Sequence, residues 1–151
     1  MNQTAIKTHV RETEPFRWEG VPLLAYKEEG SHFRDVTRQV LFDGEGIGAE
    51  LRYFEVAAGG WSTLERHQHV HAVLIVRGEG RGLIGDRVVA LAPHDLVRVP
   101  SLTWHQFRAA ADAPLGFLCL VPCGRDRPER PDSAALADLR GDPVIADFIR
   151  P

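Results

Sequence analysis

Between residues 50 and 121, turn residues cut the chain into short segments in which apolar and polar residues alternate or run briefly uninterrupted. Residues 50–56 end at Gly59-Gly60, residues 71–76 at Gly78-Glu79-Gly80, residues 95–99 at Pro100 and residues 115–121 at Pro122. Residues 81–84 and 87–91 flank Gly85-Asp86, a pair that tolerates the positive φ of a tight hairpin. With no helical period between these segments, the middle of the chain predicts an all-β sandwich or barrel.

The two ends read differently. Residues 1–49 are mixed, with Trp18, Val21, Leu23, Leu24 and Tyr26 able to form an edge strand or to cover the barrel. Residues 124–132 are rich in Arg, Pro and Asp and read as an exposed connection. Asp132 can cap a helix over residues 133–139 that stops at Gly141, and Asp142-Pro143 can start another that reaches Phe148. A chain of 151 residues fits one domain over 1–151, with a covering segment at 1–49, a core barrel at about 50–121 and a helical tail at 132–150.

Charge and signal content remove several classes of partner. Eighteen Lys plus Arg against 21 Asp plus Glu give a net charge of −3, without the basic surplus that a phosphate backbone requires, so no nucleic-acid partner is expected. The polar N-terminus holds no secretory signal, and apolar runs such as residues 73–76 fall far short of the roughly 20 residues of a membrane span. The expectation is a cytoplasmic protein without membrane attachment, in which Cys119 and Cys123 are thiols and Cys119 fills a small buried apolar place. There is no Gly-x-Ser-x-Gly elbow or phosphate loop, and Gly44-Glu45-Gly46-Ile47-Gly48 lacks the spacing of a dinucleotide turn.

Residues 65–71, Glu65-Arg66-His67-Gln68-His69-Val70-His71, put three histidines and a carboxylate at alternate positions, on one face of a regular strand. Burying several imidazoles side by side without a shared partner is costly, and imidazole and carboxylate are good ligands for Zn, Fe, Mn, Ni or Cu. A straight strand would separate Glu65 from His71 by roughly 20 Å, too far for one ion. Either neighbours such as His67 and His69 bind, or a bend or bulge makes more distant positions converge.

Two segments together resemble the motifs of the cupin superfamily: Gly60, His67-Gln68-His69 and Gly78, then Gly85, Pro93, Asp95, Pro100 and His105-Gln106-Phe107. The resemblance implies a double-stranded β-helix, or jelly-roll, barrel in which His105 joins the first-motif residues on one metal. Where such proteins follow His-x-His with Glu, this chain has Val73 and Leu74. Counting back thirteen, eleven and seven residues from Gly78 restores a full set, Glu65, His67 and His71 with His105. His69 then stands behind the ligands, orienting one of them or meeting substrate, or itself completes the set. His94 occupies a place where the second motif usually has Gly.

The resemblance further implies a metal-dependent enzyme for a small organic substrate. With Fe(II), the favoured ion, the leading expectation is a dioxygenase; with Mn, Ni, Zn or Cu the same ligands suit isomerase or lyase chemistry. A non-catalytic barrel that binds a metal or small ligand and acts as a sensor is the alternative. Arg52, Phe54, Trp61, Trp104 and Phe107 are the candidate pocket residues, with Gln106 and Arg98 beside them. Exposed edge strands suggest a homodimer.

Overall fold

The structure, a computed structural model, describes residues 7–27 and 30–151. Three short strands, β1 (Glu12–Glu14), β2 (Arg17–Trp18) and β3 (Leu24–Ala25), precede the long β4 (Arg34–Phe42) and β5 (Ala49–Trp61). Then come β6 (His71–Gly78), β7 (Gly80–Ile84), β8 (Arg87–Leu91), β9 (Leu96–Val99), β10 (His105–Ala109) and β11 (Leu115–Pro122), followed by α1 (Ser133–Arg140) and α2 (Pro143–Phe148). The main sheet runs β8-β7-β10-β5-β11-β6-β9, with β4 on β5 and β3 on β4. Its ladders are antiparallel, and the sheet curls over its inner face as the jelly-roll barrel expected from the sequence.

The curl follows from β5, which passes from β11 to β10 along one edge while β4 holds the other. Gly59-Gly60, expected to end this strand, instead lies inside it. Gly59 has φ 76°, and a Cβ on Gly60 would clash with the Arg34 carbonyl oxygen, so the pair turns the strand without stopping it. β4 is a correction of another kind: residues 34–42 form a full member of the sheet within what reads as a covering segment. Its mixed sequence, RDVTRQVLF, lacks clean alternation and so gives little strand signal.

Elsewhere local chemistry and structure agree. Gly85 takes φ 66° in the β7–β8 hairpin. The Asp132 carboxylate accepts from the Ala135 N–H at 2.8 Å and caps α1, while Asp142 accepts from Val144 and Ile145 at the start of α2. His94 is exposed at φ 78°, the left-handed conformation for which Gly is the usual residue, and its N–H donates to the Ile75 carbonyl at 2.7 Å. Among the described residues, no helix is long and apolar enough to cross a membrane.

Alternation along β11 shows how the core is chosen. Leu115, Phe117, Cys119 and Val121 point inward and are buried, whereas Leu120 faces out. Val36, Phe54, Val73, Ile75, Val97 and Phe107 complete the interior of the barrel, and a second cluster joins Leu64 and Leu83 to Leu139, Ile145 and Phe148 of the helical tail. Fully buried Gln106 ties this tail to the barrel: its Nε2 donates to the Ser62 and Arg150 carbonyls, and its Oε1 accepts from the Arg150 N–H. It is therefore a structural clamp rather than a pocket residue. Gln106→Leu leaves these buried backbone groups unpaired, and urea denaturation should show a loss of about 2–4 kcal/mol.

Candidate metal centre

The segment joining β5 to β6 carries the histidines, and it is not the regular strand that their alternation predicts. Glu65 exchanges two backbone hydrogen bonds with His105, its N–H donating at 3.2 Å and its carbonyl accepting at 3.0 Å. Beyond that bridge the chain bends at Gln68-His69 and re-enters the sheet at His71. The bend converts separation along the chain into convergence. Ring centroids of His67, His71 and His105 lie 4.8 to 5.1 Å apart, and each ring offers a nitrogen within 4.8 Å of the others.

Hydrogen bonds fix which nitrogen each ring presents. His67 Nδ1 lies 2.7 Å from the His69 carbonyl and His105 Nδ1 lies 2.8 Å from the Thr103 carbonyl. A carbonyl only accepts, so the ring protons sit on Nδ1 and the Nε2 lone pairs are free. His71 Nδ1 contacts Cys119 Sγ at 3.2 Å, while its Nε2 is buried with no partner among the described residues. Burial pushes His71 down to about 2, with the neighbouring His105, His67, His69 and Arg52 acting the same way. Burial likewise pushes His105 down to about 4, against the opposing pull of its Thr103 bond and of Glu65. Three neutral imidazoles with convergent lone pairs, one of them an orphan, fit a divalent transition ion.

The other two candidates in this segment stand differently. Glu65 lines the same cavity, but its Oε2 receives the Lys27 ammonium at 2.7 Å and it lies outside the three-nitrogen group. His69 stacks on His67 with ring centroids 3.7 Å apart and planes 3° from parallel, and its Nδ1 meets Asp126 Oδ1 at 2.8 Å. Asp126 also accepts from the backbone N–H groups of Gln68 at 2.7 Å and His69 at 2.9 Å, which hold its carboxyl well below the usual carboxylate range. His69 thus braces the bend and the ring of His67.

The cavity beside these rings has a volume of about 330 Å³. Of the expected pocket residues, Arg52, Phe54 and Phe107 line it, and Trp61 and Trp104 do not. Trp61 lies beneath the Arg34 guanidinium, 5.4 Å from its ring centroid, and Trp104 packs between Arg66 and the helical tail. Arg98 is exposed on β9. Cys119, expected to fill a small buried place, is buried in the core and also lines the cavity, with Arg52 Nη2 3.7 Å from its sulfur. Burial pushes its thiol up, and Arg52 opposes this. Lys27, Arg38, Arg125 and Asp126 also form the wall. They come from segments far from both motifs, so no local pattern marks them.

A jelly-roll barrel with a cluster of inward imidazoles at one end is the architecture of a cupin. The family model described as the cupin domain matches residues 52–121, and the chain belongs to that family. Over 135 residues it is 60% identical to the 1-methylthio-D-xylulose 5-phosphate methylsulfurylase of Rhodospirillum rubrum, covering 89% of this chain and 86% of that one. A cupin 2 conserved barrel domain protein from Rhodopseudomonas palustris superposes with a TM-score of 0.91 at 51% identity, over 95% of this chain and all of that one. A cupin-2 domain protein from Rhodospirillum rubrum gives a TM-score of 0.85 at 58% identity, over 89% and 91% of the two chains.

Two variants test the bracing role of Asp126 and the convergence of the rings. Asp126→Asn removes the carboxylate behind His69 and should weaken metal affinity roughly 10–100-fold, as read by competition with a chelator. His105→Ala removes a convergent nitrogen and should abolish stoichiometric metal retention measured by elemental analysis.

Proposed function

We propose that this protein is a metal-dependent cupin enzyme that cleaves the carbon–sulfur bond of 1-methylthio-D-xylulose 5-phosphate or a close analogue. The observation that carries the reading is the make-up of the cavity, which three convergent imidazoles line together with Lys27, Arg38, Arg52 and Arg125. Cationic side chains suit a sugar phosphate, and the activity named for the relative at 60% identity supports that substrate class. His67, His71 and His105 would hold the metal, with Glu65 as a fourth ligand once released from Lys27. A divalent ion there would supply Lewis-acid polarisation of the C2 carbonyl, next to the carbon that bears sulfur.

The chain's own residues do the rest. Lys27 and Arg125, more exposed than Arg52, take the phosphate, and Arg52 lies deeper beside Cys119. Phe54, Phe107 and Phe117 give the cavity an apolar side that suits a methylsulfanyl group and excludes water. The relative's named activity is not a dioxygenation, so it supports carbon–sulfur chemistry over the dioxygenase implied by the family resemblance.

Protein loaded in turn with Mn(II), Fe(II), Ni(II) and Zn(II) should consume this sugar phosphate when a small thiol is present, without consuming oxygen. Loss of substrate is followed by mass spectrometry and oxygen by electrode. His67→Ala should lower the rate at least about 100-fold. Oxygen uptake in step with substrate loss would restore the dioxygenase, and no consumption with any of the ions would reject the sugar phosphate.

We also infer a homodimer formed through the outer face of β6, β9 and β11, where Leu74, Leu96 and Leu120 are exposed and Leu74 lies opposite Leu96. Sedimentation should give about twice the 16.8 kDa chain mass, and Leu96→Glu with Leu120→Glu should return it to that of one chain.

A further inference from the structure

We propose that Lys27 is a positioning residue that withholds Glu65 from the metal until a substrate phosphate draws the ammonium away. The inference rests on the carbon–sulfur reading above and adds to it a coupling between phosphate binding and metal binding. Lys27 Nζ lies 2.7 Å from Glu65 Oε2, and both side chains line the cavity. The glutamate side chain is 11% exposed and the lysine 33%, so an entering anion reaches the ammonium before the carboxylate.

The other cationic side chains of the cavity are engaged elsewhere. Arg52 and Arg125 each bring a nitrogen to Glu50, at 3.8 and 3.3 Å, and Arg38 Nε donates to the Ala25 carbonyl at 3.1 Å. Glu50 does not line the cavity. Among the described residues, Lys27 is thus the cavity cation whose carboxylate partner adjoins the three imidazoles. Burial lowers both His67 and His105, and the negative charge of Glu65 opposes this at each ring, so the carboxylate stands near enough to act on both.

The Glu65 backbone is pinned to His105 by two hydrogen bonds, which leaves the side chain as the part that can redirect. A buried carboxylate needs a cationic partner, and either Lys27 or a divalent ion held by the imidazoles can serve. Serving both would set the ammonium against the ion on one carboxylate, a repulsion of like charges in a poorly hydrated wall. A phosphate that takes Lys27 removes the repulsion and leaves both carboxylate oxygens to the ion. Phosphate binding therefore raises the affinity for the metal, and by linkage the metal raises the affinity for the phosphorylated ligand by the same factor. The complete ligand set is reserved for a phosphorylated substrate.

Mn(II) binding, followed through the EPR signal of the free ion, tests the coupling apart from turnover. The probe is D-xylitol 5-phosphate, which keeps the phosphate but has neither the carbon–sulfur bond nor the C2 carbonyl that would itself chelate the ion. At saturation it should tighten Mn(II) binding roughly 10-fold or more. Lys27→Met should bind Mn(II) comparably tightly without the probe and gain little from it, whereas Lys27→Arg, which keeps the cation, should behave as wild type. Removing a positive charge also favours a cation through space, so the same comparisons are made with Glu65→Gln. In that background both the probe and Lys27→Met should lose most of their effect.

Wild-type protein that binds D-xylitol 5-phosphate with no change in Mn(II) affinity overturns the proposal and leaves the carbon–sulfur reading standing. So does a gain from Lys27→Met that survives Glu65→Gln. Should Lys27→Met fail to fold, the near-isosteric Glu65→Gln decides alone, because a probe that still tightens Mn(II) fully in it overturns the coupling. Wild-type protein that neither binds the probe nor consumes 1-methylthio-D-xylulose 5-phosphate rejects both.

Discussion

The centre depends on one pair of backbone hydrogen bonds, the exchange between Glu65 and His105. It joins the end of the β5–β6 connection to the start of β10 and sets the distance between histidines that lie far apart along the chain. Without it, residues 65–71 could run on as a straight strand and spread their side chains along one face. With it, the chain must turn back within a few residues, and the bend at Gln68-His69 brings His67 and His71 against His105. The sheet supplies the rigidity: β10 is held by β7 along its length and β6 by β9 and β11.

Electrostatics then favours neutral donors. Three imidazoles in contact cannot all be charged in a poorly hydrated space, and burial dominates the lowering at each of them. Opposite charges are kept one step back, with Asp126 behind His69 and Lys27 on Glu65. The arrangement keeps the ring lone pairs available while the wall of the cavity remains polar.

Much of the fold is legible because its signals are local. Gly85-Asp86, Pro100, Pro122, Asp132 and Asp142 each act on their own neighbours, and the hairpin, strand ends and caps follow. The histidines too are legible as a group, because period-two spacing within seven residues is a local pattern. What the pattern lacks is the bend. Asp126 braces it from 57 positions away by binding the backbone of His69, and Lys27 reaches Glu65 across 38. Trp61 and Trp104 mislead for a related reason: each adjoins a motif, yet strand direction turns one toward Arg34 and the other toward the tail. β4 escapes notice because its ladder with β5 is irregular at both ends.

Gln106 follows His105 on β10 and points the other way, into the buried seat of Arg150. Adjacent residues of one strand therefore face a reactive cavity and a structural joint. A substitution that changes the fit of the tail is transmitted to the imidazole beside it through a single peptide unit. Among related chains, residue 106 and the tail it grips must then diverge together, and a transplanted tail would bring its own demand on residue 106.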